Sequence, residues 1–177
     1  LKLAFFRLAG PELLVMNSEV YSWLKSEPEY AALKLRQFRN GVDTGRYTPP
    51  LYNEKINAKA AVGLENSTTF LFVGRLSPEK RVKEFVEAWA EIFSERTVPP
   101  KIHLLIVGGG PEGPALEAAV KDLGLEGRVT LAGPKDDLRP YYRAADVFIL
   151  PSISEGLSNS MLEAMACGVA VMASRVG

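Results

Sequence analysis

Four side chains have the types and spacing to do chemistry. Glu155 and Glu163 lie in SEGLSNSMLEAMACG, residues 154–168, the first in a small-residue loop and the second within a helical pattern. Arg75 and Lys80 lie in GRLSPEKR, directly after an apolar strand pattern. Two acids at this spacing are compatible with catalytic partnership, with acceptance of sugar hydroxyls, or with ordinary solvated charge. Two cations at the start of a helix are out of place, because the helix dipole favours acids there. Ser77 is followed three residues later by Lys80, where a capping box would need Glu or Gln. The expected helix start therefore fits either an anion held between Arg75, Lys80 and backbone N–H groups or a solvated turn partly neutralised by Glu79.

A third segment competes for attention. GGGPEG, residues 108–113, matches Gly-x-Gly-x-x-Gly after a strand, with Asp136 and Asp137 further on. That spacing invites a nicotinamide-dinucleotide reading. Pro111 and Pro114 intrude on the loop and helix start, and Gly133-Pro134 precedes the acids, so a tight strand-to-helix turn is the better reading. Small residues entering a helix near Ser158 or Asn159 would present N–H groups to a phosphate or a sugar hydroxyl. Glu163 sits among Met161, Leu162, Met165 and Ala166, so it needs hydrogen-bonding partners unless it lies on a polar face. His103 lies in an apolar strand pattern and reads as structural. Cys167 reads as a small core residue, with no second histidine to activate it. No His/Cys cluster or Asp-x-Asp supports a metal site.

The elements that must position these groups alternate. TFLFVG reads as a buried strand and KIHLLIVG, RVTLAG, DVFILP and VAVMAS as further short strands, with helical stretches between them. The first of those helices carries a stripe of Val82, Phe85, Val86, Trp89, Ile92 and Phe93. This order implies an α/β fold, a Rossmann-like parallel sheet with helices on both faces. In such sheets ligands bind beyond the carboxyl ends of the strands, which is where the four side chains fall. Upstream, ELLVMNS reads as a short buried strand and EVYSWLKSEPEYAALK as a helix broken at Pro28. LRQFRNGVD reads as a strand entering a turn, and NEKINAKAAVGLENS as polar and poorly periodic.

The composition narrows the class. The chain has 177 residues, 47% hydrophobic and 24% charged, with 21 basic and 21 acidic side chains. That balance fits a globular domain and lacks the basic excess of a nucleic-acid binder. A single cysteine excludes an internal disulfide and fits a reducing compartment. No apolar run approaches the ~20 residues needed to cross a bilayer. The opening LKLAFFRLAG lacks an initiating Met and a signal-peptide layout, and the end falls just after a strand pattern, so a fragment of a longer protein is expected.

Five segments, RNGVDTGRYTP, FVGRLSPEKRV, LLIVGGGPEGPALE, GRVTLAGPKDDLRPYYRAADVFILPS and SEGLSNSMLEAMACGVAVMAS, together resemble glycosyltransferase family 4, whose members have the two-domain GT-B architecture. The resemblance runs from about residue 12 to residue 177. It implies that residues 1–45 close an N-terminal acceptor domain, 46–68 connect, and 69–177 form a nucleotide-sugar-binding donor domain truncated at its C-terminus. It further implies retaining transfer of a sugar from a UDP- or GDP-sugar to a glycan, lipid or other acceptor, with no cofactor and no required metal. By position, Arg75 and Lys80 match the pair that holds the donor diphosphate. Glu155 matches the acid on the donor sugar, and Gly156, Leu157 and Ser158 the loop lying against sugar and phosphate. Glu163 matches the acid on the ribose, and Lys135 and Leu138 the loop beside the base. Arg75, Lys80 and Glu155 would act at the reacting centre. Arg81 stands where the family often has Gly, and Ala170 where it often has Pro. The expected setting is cytoplasmic, with peripheral contact at the inner face of a membrane through segments outside this chain and no nucleic-acid partner. Two other classes remain: a non-catalytic nucleotide-sugar-binding subunit and an NAD-dependent oxidoreductase.

Overall fold

A computed structural model describes residues 12–15, 17–38, 40–94 and 101–176. The opening stretch LKLAFFRLAG lies outside them. The described residues up to Gly41, with Glu155–Leu157, form one compact unit, and Val42–Ser154 with Ser158–Val176 form the other.

In the first unit β1 (Glu12–Val15) pairs in parallel with β2 (Lys34–Gln37), joined through α1 (Ser18–Ser26). Asn17 starts the helix, its Oδ1 accepting the N–H groups of Glu19 and Val20 at 2.8 and 2.9 Å. Pro28 opens a separate 3₁₀ turn, Pro28–Tyr30, where the helix was expected to break. The β1 segment was expected to be buried, yet only Val15 is. A two-stranded ribbon has too little area to enclose both of its faces, and α1 buries none of its residues.

The second unit holds a five-stranded parallel sheet in the order β5-β4-β3-β6-β7. Its strands are β3 (Thr68–Val73), β4 (Ile102–Val107), β5 (Val129–Gly133), β6 (Val147–Leu150) and β7 (Ala170–Ala173). The helices are α2 (Tyr52–Ala61), α3 (Val82–Ser94), α4 (Gly113–Asp122), α5 (Arg139–Ala144) and α6 (Asn159–Ala166). Strand alternation distributes the apolar side chains to two cores. Leu71, Val73, Leu105, Val107, Phe148 and Leu150 face one core with residues of α5 and α6 and Leu64 after α2. Phe72, Leu104, Ile106 and Ile149 face the other with Val82, Val86 and Trp89 of α3 and Leu116 and Val120 of α4. Among the described residues no helix is long and apolar enough to cross a membrane.

The stretch expected to be a plain connector, residues 46–68, contains α2. Its anchor is ionic, and so it leaves little apolar periodicity to read. Lys55 and Lys59, one turn apart, reach the carboxylate of Asp146 at 2.8 and 2.6 Å. The same carboxylate accepts the Thr69 N–H at 2.8 Å, and the Asp146 N–H returns a bond to the Thr69 carbonyl at 2.9 Å. Burial raises the pKa of Asp146, but the bonds from Lys55, Lys59 and Thr69 outweigh it and hold the carboxyl below its ordinary value.

Candidate functional site

The strand order reverses direction between β3 and β6. Chain leaving β3 moves outward through β4 to β5, and chain leaving β6 moves the other way to β7. At such a switch point the loops following the two strands part and leave a crevice at their carboxyl ends. Arg75 and Lys80 lie in the loop after β3, and the segment running to Ser158 follows β6. The Ile153 N–H donates to the Glu79 carbonyl at 2.9 Å, tying the two loops together.

The helix expected to begin at Ser77-Pro78 does not begin there. Pro78–Lys80 form a 3₁₀ turn closed by Lys80 N–H to Ser77 O and Arg81 N–H to Pro78 O, at 2.9 and 3.1 Å. Arg81 then adopts a left-handed conformation with φ 52° and ψ 34°, and α3 starts at Val82. Arg81 is alone in this among the described non-glycine residues. The break lets Val82, Val86 and Trp89 seat in the core, and it removes Lys80 and Arg81 from a first helical turn. Lys80 instead ends a short turn, where carbonyl ends favour a cation. The Ser77 hydroxyl does not cap; it donates to Glu79 Oε1 at 2.6 Å. That bond, a backbone bond and the nearby charges of Lys80 and Arg75 together depress the Glu79 carboxyl. Both cations therefore stand close to an acid that stays ionised. Arg75 is exposed and Lys80 half-buried.

The glycine-rich loop after β4 is consumed by packing. A Cβ on Gly108, whose φ is 144°, would meet the Gly74 carbonyl oxygen at 1.8 Å, and one on Gly110 would meet the Leu76 oxygen at 2.2 Å. Leu76 N–H donates to Gly109 O, and Glu112 N–H to Leu76 O, at 3.0 and 3.1 Å. These glycines let the loop after β3 lie against the loop after β4, as the tight-turn reading expects. Asp137 is engaged as well: its two oxygens take the Arg139 guanidinium at 2.8 Å each, and Oδ1 also accepts the Arg139 N–H at 3.1 Å. These bonds hold the Asp137 carboxyl down at about 2. Lys135 is exposed in the loop after β5, and Leu138, half-buried, precedes α5 and packs on the first core.

On α6, Ser158 is the N-cap, its Oγ accepting the Met161 N–H at 3.3 Å. Glu163, half-buried one turn on, has the partner its surroundings require: the Tyr142 hydroxyl donates to Oε2 at 2.8 Å. Tyr142 is fully buried, and burial with the bond to Glu163 pushes its ionisation far above the ordinary tyrosine range. Tyr47 meets Tyr142 edge-on at 5.8 Å between ring centroids. Its own pKa is raised by burial first and then by the charge and hydrogen bonding of Glu163. Neither tyrosine stands out by spacing; the usable signal is the partner demanded by an acid amid apolar neighbours. Glu155, half-buried, and Gly156 and Leu157, exposed, belong to the first unit. The geometry thus unites Arg75, Lys80 and Glu79 in one loop, and Glu163, Leu138 and the tyrosines around one core. His103 bonds Thr130 Oγ1 at 2.8 Å, and Cys167 is buried, both as structural residues. Among the described residues no group of three or more His, Cys, Asp or Glu side chains is placed to hold a metal ion.

The five-stranded parallel sheet, its switch point between β3 and β6 and the helices on both faces define a Rossmann-like α/β domain. The family profile of group 1 glycosyl transferases matches residues 67–177, and the chain belongs to that family. A D-inositol 3-phosphate glycosyltransferase from Segniliparus rotundus is 37% identical over 181 residues, spanning 96% of this chain and 38% of that protein. Among solved structures, Anabaena Alr3699/HepE in complex with UDP and glucose superposes with a TM-score of 0.79 at 22% identity, covering 99% of this chain and 49% of that one. Sucrose-phosphate synthase from Thermosynechococcus elongatus superposes at 0.77 with 28% identity, covering 99% of this chain and 44% of that one. The chain thus spans less than half the length of these proteins.

Proposed function

We propose that this chain carries the donor-binding part of a retaining glycosyl transferase, one that moves a sugar from a nucleotide-diphosphate sugar to a glycan or lipid acceptor. The observation that carries the reading is the pair of cations in the loop after β3, beside the switch point, a loop whose Glu79 carbonyl accepts the Ile153 N–H of the loop after β6. When the sugar–phosphate bond breaks, negative charge grows on the departing diphosphate. Pre-placed cations stabilise that charge without reorganising, and the stabilisation is larger in the transition state than in the ground state. Arg75 and Lys80 take this role. Glu155 orients the donor sugar by accepting its hydroxyls, and Gly156, Leu157 and Ser158 line sugar and phosphate. Glu163 accepts the ribose, and Lys135 and Leu138 flank the base. In the same reading, residues 1–45 close an acceptor-binding domain. The Anabaena protein of like fold is described with UDP and glucose, which favours a UDP-sugar as the first donor to test, with a GDP-sugar as the comparison.

Titration calorimetry on the full-length protein with UDP, GDP and their bare nucleosides tests the assignment. Arg75→Ala and Lys80→Ala should each weaken diphosphate binding by about 1–3 kcal/mol, the scale of a charge-assisted hydrogen bond, and spare the nucleoside. Equal losses for diphosphate and nucleoside would remove both residues from the phosphate site.

A further inference from the structure

We propose that Tyr142 is the positioning residue for Glu163: its hydroxyl holds one carboxylate oxygen so that the remaining acceptor capacity is fixed toward the ribose. The inference rests on the reading that Glu163 accepts the ribose. The bond spans α5 to α6, 21 residues apart in sequence, at 2.8 Å. An ionised carboxylate offers about four acceptor sites, so the Tyr142 hydroxyl and the hydrogen bonding of Tyr47 still leave two for a ribose diol.

The donor type matters. A lysine or arginine in this place would cancel the acid's charge and weaken its bond to a sugar hydroxyl. A neutral phenol restrains the side chain and leaves the charge available, which keeps the bond to ligand charge-assisted. Tyr142 is suited to this because it is fully buried, and its O–H has a strong need for an acceptor. Tyr47, also buried, packs edge-on against it and limits the movement of the ring. The placement also links two parts of the site. Leu138 is the N-cap of α5, and Tyr142 lies one turn into that helix. The loop assigned to the base and the acid assigned to the ribose are therefore tied to one short rigid element.

The test is Tyr142→Phe in the full-length protein, with Glu163→Gln and Glu163→Asp alongside. Affinities are measured for UDP and GDP and for their 2′,3′-dideoxy counterparts. The readout is the preference for the ribonucleotide over the dideoxy form, which a general loss of packing would not move. Tyr142→Phe should lower that preference about 3- to 10-fold, the range of one hydrogen bond, and leave dideoxy affinity within about twofold. Glu163→Asp keeps the charge but withdraws the carboxylate from Tyr142, and it should lower the preference similarly even if Tyr142→Phe fails to fold. If Glu163→Gln abolishes the preference and Tyr142→Phe and Glu163→Asp keep it in full, the positioning role is wrong and the ribose assignment stands. If Glu163→Gln itself keeps the preference, the ribose assignment falls and this inference falls with it. Equal losses for both ligand forms in Tyr142→Phe would make Tyr142 a packing residue only.

Discussion

Replacing Arg81 separates what its side chain does from what its backbone must do. The residue sits at φ 52° and ψ 34°, between the turn carrying Lys80 and the start of α3. A side chain in that region costs about 1–2 kcal/mol relative to glycine. Glycine in turn loses about 0.5–1 kcal/mol more backbone freedom on folding. Arg81→Gly also removes a pair with Glu84, Nε to Oε1 at 3.4 Å, in which both side chains are 48% exposed; such a pair contributes about 0.3 kcal/mol. The net expectation is a gain of roughly 0.5 kcal/mol. Arg81→Val removes the same ion pair but places a β-branched side chain where it is least tolerated, and should lose about 1–2 kcal/mol. The two variants should therefore differ by about 2 kcal/mol, which is roughly 30-fold in hydrogen-exchange protection of the amides in β3 and α3. Exchange read by mass spectrometry reports this sheet locally, without needing two-state unfolding of a longer protein. If Gly and Val lower protection equally, the position depends on the arginine side chain and the backbone argument is wrong.

Two further expectations are read by simpler assays. Asp146→Asn should destabilise the sheet unit by about 2–3 kcal/mol at neutral pH, because it strands Lys55 and the largely enclosed Lys59. Since the folded carboxyl is held below its unfolded value of about 3.9, the parent's advantage over this variant should be complete above that pH. It should shrink as pH falls through the lower folded value, in thermal melts from pH 7 to 2.5; a gap that does not narrow would dismiss the ion-pair account. Glu155→Gln should leave UDP or GDP affinity unchanged and weaken the intact nucleotide sugar by about 1.5–3 kcal/mol in titration calorimetry, and a comparable loss for the bare diphosphate would take Glu155 off the sugar.

The three central strands were legible because burial on both faces forces short apolar runs, and TFLFVG, KIHLLIVG and DVFILP admit few other readings, whereas the edge strand β7 is exposed throughout. The expected helix after β3 was mis-started by two residues' worth of good signals. Ser77 and Pro78 do open a helical turn, but it is a 3₁₀ turn, and only three-dimensional packing of Val82, Val86 and Trp89 demands the left-handed break at Arg81. A resemblance noting glycine as frequent at that position held the clue, since glycine is the residue that takes positive φ without strain. Helix α2 was missed for a different reason. Its hold on the sheet is the Lys55–Asp146–Lys59 cluster, with Ala58 its one buried residue, and periodicity of apolar residues cannot register a charged anchor. At the site the same division holds. Local spacing marks Arg75, Lys80 and Glu155, in loops after strands, and Glu163, in the helix that follows, as candidates to be tested. It does not mark Tyr142 or Tyr47, whose roles come from α5, α6 and the segment before α2 meeting on one face of the sheet. A chemical demand bridges the gap: an acid amid Met161, Leu162 and Ala164 must find a donor, and the Tyr142 hydroxyl, presented from a neighbouring helix, meets that demand while itself staying neutral.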